Sequence, residues 1–243
     1  MKILYFVPGP LSTTALGAEE LERRRQFLAR RAFAGTEVAV REAAHGPKTI
    51  ESCVEECLSL PAVMEAIPPL EKEGFDAAII GCFDDPGLAG ARELAQIPII
   101  GPGLASCHWA AQLGDRFAII TVVEEVIPLL RRLMRVYGLE GLVTDILAVE
   151  VPVLELHGQR EAVLENLADE GKAAVQRGAD VLVLGCMTMG FLGIARDLQD
   201  RLQVPVVNPV LAGLKAAETA VAMSTTHSRR AYPTPRKGLP DTL

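Results

Sequence analysis

A pair of cysteines in matched settings constrains this chain more than any other feature. Gly74-Phe-Asp-Ala-Ala-Ile-Ile-Gly-Cys82 reads against Gly178-Ala-Asp-Val-Leu-Val-Leu-Gly-Cys186. Each has a Gly, an Asp two residues on, an apolar run and then Gly-Cys. At the same offset Ala91-Arg92-Glu93-Leu94 answers Ala195-Arg196-Asp197-Leu198. Ile97-Pro98-Ile99-Ile100-Gly101-Pro102 answers Val204-Pro205-Val206-Val207-Asn208-Pro209. One α/β unit is written twice, and each copy places a thiol at the exit of a buried strand. Two mirrored thiols can address opposite faces of one small molecule.

Short apolar runs alternate with longer amphipathic stretches. Strands are expected at Ile3–Val7, Glu37–Val40, Ala77–Ile80, Ile99–Ile100, Phe117–Thr121, Asp145–Val149, Val181–Leu184 and Pro205–Val207. Helices are expected at Gly17–Ala32, Ser52–Lys72, Pro86–Ala95, Ala105–Leu113, Glu124–Tyr137, Arg160–Arg177, Met189–Arg201 and Val210–Met223. Such alternation with β-branched runs indicates α/β architecture with parallel sheets covered on both faces. The expected division is residues 1–104 plus 212–243 for the first domain and 105–211 for the second. From Ser224 onward the chain is polar and Pro-rich and reads as an irregular tail. Ligands of open parallel sheets collect beyond the carboxyl ends of the strands. The loops there are Pro8–Thr14, Cys82–Gly87, Thr121–Glu125 and Cys186–Gly190.

A formal charge of −7 argues against nonspecific nucleic-acid binding. No run approaches a membrane span of roughly 18–20 apolar residues, and no secretory leader is visible, so the expected location is the cytoplasm. The five cysteines are then free thiols. Cys53 and Cys57 share a helical face and are expected to pack, as is Cys107. His45, His108, His157 and His227 show no metal-ligand spacing and read as structural or solvated. The chain lacks a Walker-type loop, a complete dinucleotide loop and a lysine in a pyridoxal phosphate setting. The expected chemistry uses no cofactor and no metal.

Asp85 before Pro86 reads as an N-cap followed by a first helical residue. That would set Cys82 near a helix N-terminus, a setting that favours a thiolate, while Asp84 and Asp85 oppose it. Thr188 reads as the N-cap after Cys186.

At these residues the chain resembles the aspartate/glutamate/hydantoin racemase superfamily, closest to its hydantoin (allantoin) racemase branch. The matching stretches are Gly81-Cys-Phe-Asp-Asp-Pro-Gly-Leu88, Ile97-Pro-Ile-Ile-Gly-Pro-Gly103, Pro152-Val-Leu-Glu-Leu156, Leu184-Gly-Cys186 and His227-Ser-Arg-Arg-Ala-Tyr232. The resemblance implies two flavodoxin-like parallel-sheet domains related by pseudo-twofold symmetry, with the site in the cleft between them. It implies cofactor-independent racemisation of 5-substituted hydantoins or related cyclic ureides, with Cys82 and Cys186 as acid and base. Expected substrate contacts are Pro8, Phe83, Asp84, Thr121, Val122, Met187 and Thr188. The chain is expected to act on a small molecule, to bind neither nucleic acid nor membrane, and to form a homo-oligomer.

Several positions depart from the family pattern. Val7-Pro8-Gly9 stands for a usual Asn-Pro-Asn, and Thr121-Val122 for a Thr-Thr pair. Glutamate racemases carry a His where this chain has Thr188, and an N-terminal Asp-Ser motif that is absent here. Asp84 replaces a frequent Gly and is expected to face the substrate and repel carboxylate ligands. Two other functions stay open. One is a maleate-isomerase-like reaction with a nucleophilic Cys. The other is a non-catalytic two-lobed sensor of small molecules. Deuterium exchange at a substrate stereocentre separates an enzyme from a sensor.

Overall fold

Four apolar runs in each half become parallel strands. In the computed structural model, which describes residues 1–237, β1 (Lys2–Val7), β2 (Glu37–Glu42), β3 (Ala77–Ile80) and β4 (Ile99–Ile100) form one sheet in the order β2-β1-β3-β4. β5 (Phe117–Thr121), β6 (Val143–Ala148), β7 (Val181–Leu184) and β8 (Val206–Val207) form a second in the order β6-β5-β7-β8. All pairings are parallel. Each order is that of a flavodoxin sheet less its last strand. Every residue of β3, β5 and β7 is buried, as is β1 from Ile3 onward. Sheets covered on both faces select such continuous apolar runs. Each large side chain buried there contributes roughly 1.5–3 kcal/mol.

The chain forms two compact units. One comprises Met1–Ile50, Val54–Gly101 and the residues from Gly213 on. The other comprises Glu51–Cys53 and Pro102–Ala212. The helices of the chain are α1 (Glu19–Ala29), α2 (Cys53–Ala66), α3 (Leu88–Leu94), α4 (Pro102–Leu113), α5 (Ile127–Val136), α6 (Arg160–Gln176), α7 (Met187–Phe191), α8 (Ala195–Leu202) and α9 (Pro209–Ala222). Among the described residues no helix is long and apolar enough to cross a membrane.

The repeated motif has a physical reason at each conserved position. Gly74 and Gly178 both adopt positive φ, at 75° and 98°, where a side chain would be strained. Asp76 accepts the Lys2 N–H at 2.7 Å. Asp180 accepts the Asp115 and Arg116 N–H groups at 3.1 and 3.0 Å. In each unit the Asp therefore pins the chain that enters the first strand. Pro102 and Pro209 open helices at matching places, where a missing N–H costs nothing. Asn208 caps α9 by accepting the Val210 N–H at 2.9 Å.

Several expected elements differ in detail. The helix expected over Ser52–Lys72 ends at Ala66, because Pro68 and Pro69 cannot continue it. The helix expected over Met189–Arg201 is two helices, α7 and α8, broken around Gly193 with φ 70°. Cys53 and Cys57 do not pack; both are exposed, whereas Cys107 is fully buried. Buried Glu218 of α9 accepts the Phe33 N–H at 2.5 Å and the Lys215 ammonium at 2.8 Å. Two donors thus compensate a carboxylate that would otherwise be costly to bury.

The stretch from Ser224 to Lys237 has no strand or helix but is anchored to α3 and β4; residues 238–243 of the expected tail lie outside the described residues. Thr226 Oγ1 donates to Gln96 O at 3.0 Å, and Arg92 Nη1 donates to Tyr232 Oη at 3.0 Å. Arg229 Nη1 donates to the Arg92 and Glu93 carbonyls. The Ile99 N–H on β4 donates to His227 Nε2 at 2.7 Å. This covers the exposed edge of the first sheet. Burial and the nearby Arg92 charge lower the His227 pKa to about 4.

A histidine whose folded pKa lies below its unfolded value of about 6.5 stabilises the fold fully above that value, and the contribution is lost as pH falls toward 4. Thermal stability of the wild type is expected to fall through this window. His227→Gln retains an acceptor for Ile99 but does not titrate, so its melting temperature is expected to fall less. Parallel curves of melting temperature against pH for the two proteins would contradict this role.

Candidate active site

Each cysteine leaves its sheet through one glycine residue held at both its N–H and its carbonyl. The Gly81 N–H donates to Phe6 O at 2.6 Å, and the Gly185 N–H donates to Ile120 O at 2.8 Å. These acceptors lie on β1 and β5, one residue before each strand ends. Phe6 pairs with Ile80, and Ile120 with Leu184. A hydroxyl holds the other end. Tyr5 Oη donates to Gly81 O at 3.4 Å, and Thr121 Oγ1 donates to Gly185 O at 3.3 Å. Glycine is required at both places. A Cβ on Gly81 would stand 2.6 Å from Phe6 O and 2.8 Å from the Tyr5 ring; one on Gly185 would stand 2.8 Å from Ile119 Cγ2.

In the first unit Pro8 follows β1, and Cys82, Phe83 and Asp84 follow β3, its hydrogen-bonded neighbour. In a sheet of this order β1 and β3 flank the switch point where ligands bind. Cys82 is half-buried; Pro8, Phe83 and Asp84 are buried. Ser12 N–H donates to Glu42 Oε2 at 2.7 Å and its hydroxyl to Oε1, tying the loop after β1 to the end of β2. In the second unit Thr121 ends β5 and Val122 follows it, and Cys186, Met187 and Thr188 follow β7. All five are buried, with Cys186 8% exposed. The sequence reasoning missed the glycine locks with Tyr5 and the Ser12–Glu42 clasp. The repeated Gly before each Cys was the signal for the former.

The local geometry corrects two expected caps. Asp85 is not an N-cap and Pro86 is not the first helical residue, because α3 starts at Leu88 behind Gly87. Asp85 takes a left-handed conformation, φ 53°, and its carboxyl lies 2.5 Å from where a Gly101 Cβ would sit. Its side chain faces β4's end, and two turns separate Cys82 from the helix. Their closing bonds are Asp85 N–H to Cys82 O at 3.2 Å and Leu88 N–H to Asp85 O at 3.1 Å. Thr188 is not a cap either. Cys186 itself is the N-cap of α7, in extended conformation, and the Gly190 N–H closes the first turn on its carbonyl at 3.2 Å. The helix terminus expected behind Cys82 therefore stands behind Cys186.

Asp84 also differs from expectation. It is 5% exposed, and its Oδ1 has no hydrogen-bond partner among the described residues. Burial, with the charges of Glu56 and Asp85, pushes its carboxyl up to about 8. Asp84 is thus mainly protonated at neutral pH, so a repulsion of carboxylates by its own charge belongs to the alkaline side of about 8.

A depression of about 230 Å³ in the first unit lies over β1 and β2, with Arg41, Glu42, Ala62 and Glu65 on its walls. None of the expected site residues lines it. Among the described residues no group of three His, Cys, Asp or Glu side chains is placed to hold a metal ion.

Two parallel sheets of flavodoxin order, one in each unit, define a two-domain α/β fold. The profile of the Asp/Glu/hydantoin racemase family matches residues 12–217, and the chain belongs to that family of isomerases. It is 36% identical to the hydantoin racemase of Pseudomonas sp. strain NS671 over 98% of this chain and 93% of that protein. The solved allantoin racemase of Klebsiella pneumoniae superposes with a TM-score of 0.87 at 30% identity, covering 99% of this chain and 97% of its own. That of Pseudomonas fluorescens gives 0.89 at 27% identity, covering 100% and 99%.

Two substitutions test this geometry. Gly81→Ala and Gly185→Ala are each expected to cost roughly 1–3 kcal/mol in urea unfolding, the usual range for overpacking; wild-type midpoints would contradict the locks. Asp84→Asn is expected to stabilise. The folded protein holds a proton between pH 4 and 8 that the unfolded chain has released, so wild-type stability declines by up to about 1.4 kcal/mol per pH unit there. The variant should gain progressively on the wild type across that window, reaching on the order of a few kcal/mol. A gain independent of pH would show that Asp84 is ionised.

Proposed function

We propose that this enzyme racemises 5-substituted hydantoins or related cyclic ureides, with Cys82 and Cys186 as the two proton-transfer groups. One cysteine, as thiolate, takes the proton from the ring stereocentre. The electron pair moves into the adjacent carbonyl and gives a planar enolate. The other cysteine, as thiol, delivers a proton to the opposite face and becomes the thiolate, so the net change is inversion. The reverse reaction exchanges the roles. The observation that carries this reading is the equivalent placing of two cysteine backbones beyond the ends of β3 and β7 by glycine locks of the same design. The similarity to hydantoin and allantoin racemases over nearly the whole chain supports the substrate class.

A ring proton flanked by a carbonyl is acidic enough for tuned thiols, whose pKa range brackets neutral pH. Acid and base are both supplied by the protein, and the reaction as proposed uses neither metal nor cofactor. Pro8, Phe83, Thr121, Val122, Met187 and Thr188 would line the substrate. Free thiols suit the reducing cytoplasm. A homo-oligomer belongs to the same reading, since Val54 and Leu58 expose an apolar strip on α2.

Optically pure hydantoins incubated with the enzyme in D₂O provide the test, read by polarimetry and proton NMR. Loss of rotation is expected together with deuterium at the stereocentre, undiminished by a chelator. Cys82→Ser and Cys186→Ser should each fold normally and lose at least about 100-fold in kcat, the usual worth of general acid–base catalysis. Racemisation at wild-type rate by either variant, or binding of hydantoins without exchange by the wild type, would overturn the reading.

A further inference from the structure

We infer that Asp84 is a substrate-contacting hydrogen-bond donor: its carboxylic acid, two residues beyond Cys82 and with an oxygen left unpartnered, binds the ring carbonyl beside the stereocentre and holds the charge that develops there. This rests on the racemase reading above and names the group that serves the substrate oxygen.

Three observations carry the inference. First, Asp84 is buried to 5% exposure, and its Oδ1 has no partner among the described residues. Buried polar atoms are nearly always hydrogen-bonded, so an orphan needs an explanation, and a missing ligand is one. Second, its place is closely constrained. The Asp85 N–H to Cys82 O bond closes a turn around Phe83 and Asp84, fixing the backbone of Asp84 two residues beyond the thiol. That turn stands beyond β3, where β1 and β3 diverge and ligands gather. The turn is also strained, since Asp85 sits at φ 53°. Strain of this kind concentrates at functional sites. Third, the groups around Asp84 keep it an acid. Glu56 from α2 and Asp85 from its own loop are the charges that face it, and with burial they hold its proton through neutral pH.

The chemistry needs such a group. Cys82 and Cys186 handle protons on carbon, but the enolate places its charge on oxygen. A carboxylic acid kept neutral in a dry site can donate to that oxygen, a known device for stabilising enolates. The proton remains on Asp84 throughout. It shifts toward the oxygen as charge builds and returns when carbon is protonated, so bonds made and broken are only those at the stereocentre. Above pH 8 Asp84 ionises and would repel the enolate instead.

The test combines a spectrum with kinetics. The infrared difference between wild type and Asp84→Asn is expected to show a protonated carboxyl band at pH 7 that converts to carboxylate on raising the pH through about 8. Unsubstituted hydantoin, which has the ring but no stereocentre, should shift that band to lower frequency. Asp84→Ala should lose on the order of 100-fold in kcat with a smaller change in KM, as for loss of one oxyanion donor. Asp84→Asn keeps a weaker donor and should retain most of that, with less decline on the alkaline side than the wild type. No protonated band at pH 7, a band that hydantoin leaves in place, or wild-type kcat in Asp84→Ala would each overturn the inference while leaving the two-thiol reading standing. A wild type that racemises no hydantoin would instead overturn the reading of function, and the band shift alone would then decide whether Asp84 donates to the ring.

Discussion

The arrangement depends on one backbone hydrogen bond made twice: the glycine before each cysteine donates to the strand beside it. These bonds run from Gly81 to Phe6 and from Gly185 to Ile120. They extend the ladder one residue beyond β3 and β7 and fix the direction in which the chain departs. Only glycine allows so close an approach, because a Cβ would meet the neighbouring strand. The hydroxyls of Tyr5 and Thr121 then hold the glycine carbonyls. The cysteine backbones are thus placed by rigid central strands, although their side chains lie on loops. Rigid support of this kind suits the proton transfer proposed for the two cysteines.

The same economy shows in the buried charges. Glu218 is fully buried but receives a backbone N–H and a lysine. Half-buried Glu42 is answered by Ser12. Asp84 differs, because its surroundings raise its pKa and no donor among the described residues satisfies Oδ1. A buried group that lacks the compensation given to others is where stability gives way to function.

Much of the fold was legible because its strands obey a single rule. Buried parallel strands must be apolar throughout, so β3, β5 and β7 begin and end where the apolar runs do. The repeat then told where the chain exits the sheet. The loops were less legible because local signals compete there with contacts distant in sequence. Asp85-Pro86 has the form of a helix start, yet Asp85 lies against Gly101, and a left-handed turn displaces the helix to Leu88. Cys186 took the capping position expected of Thr188 because α7 starts as soon as β7 ends. The protonation of Asp84 depends on Glu56 from α2, which no reading of the adjacent residues reveals. The tail looked irregular, and its secondary structure is, but His227 and Arg229 find backbone partners around α3 and β4.

The racemase proposal requires that the thiols of Cys82 and Cys186 serve one bound molecule. Alkylation by iodoacetamide, read by mass spectrometry at each cysteine over a series of hydantoin concentrations, measures this directly. Exposed Cys53 and Cys57 report the reagent's activity, and fully buried Cys107 reports unfolding. The account predicts that hydantoin protects Cys82 and Cys186 together, with one shared midpoint, and leaves Cys53 and Cys57 reactive. Protection of only one of the two, or of each with its own midpoint, would contradict it.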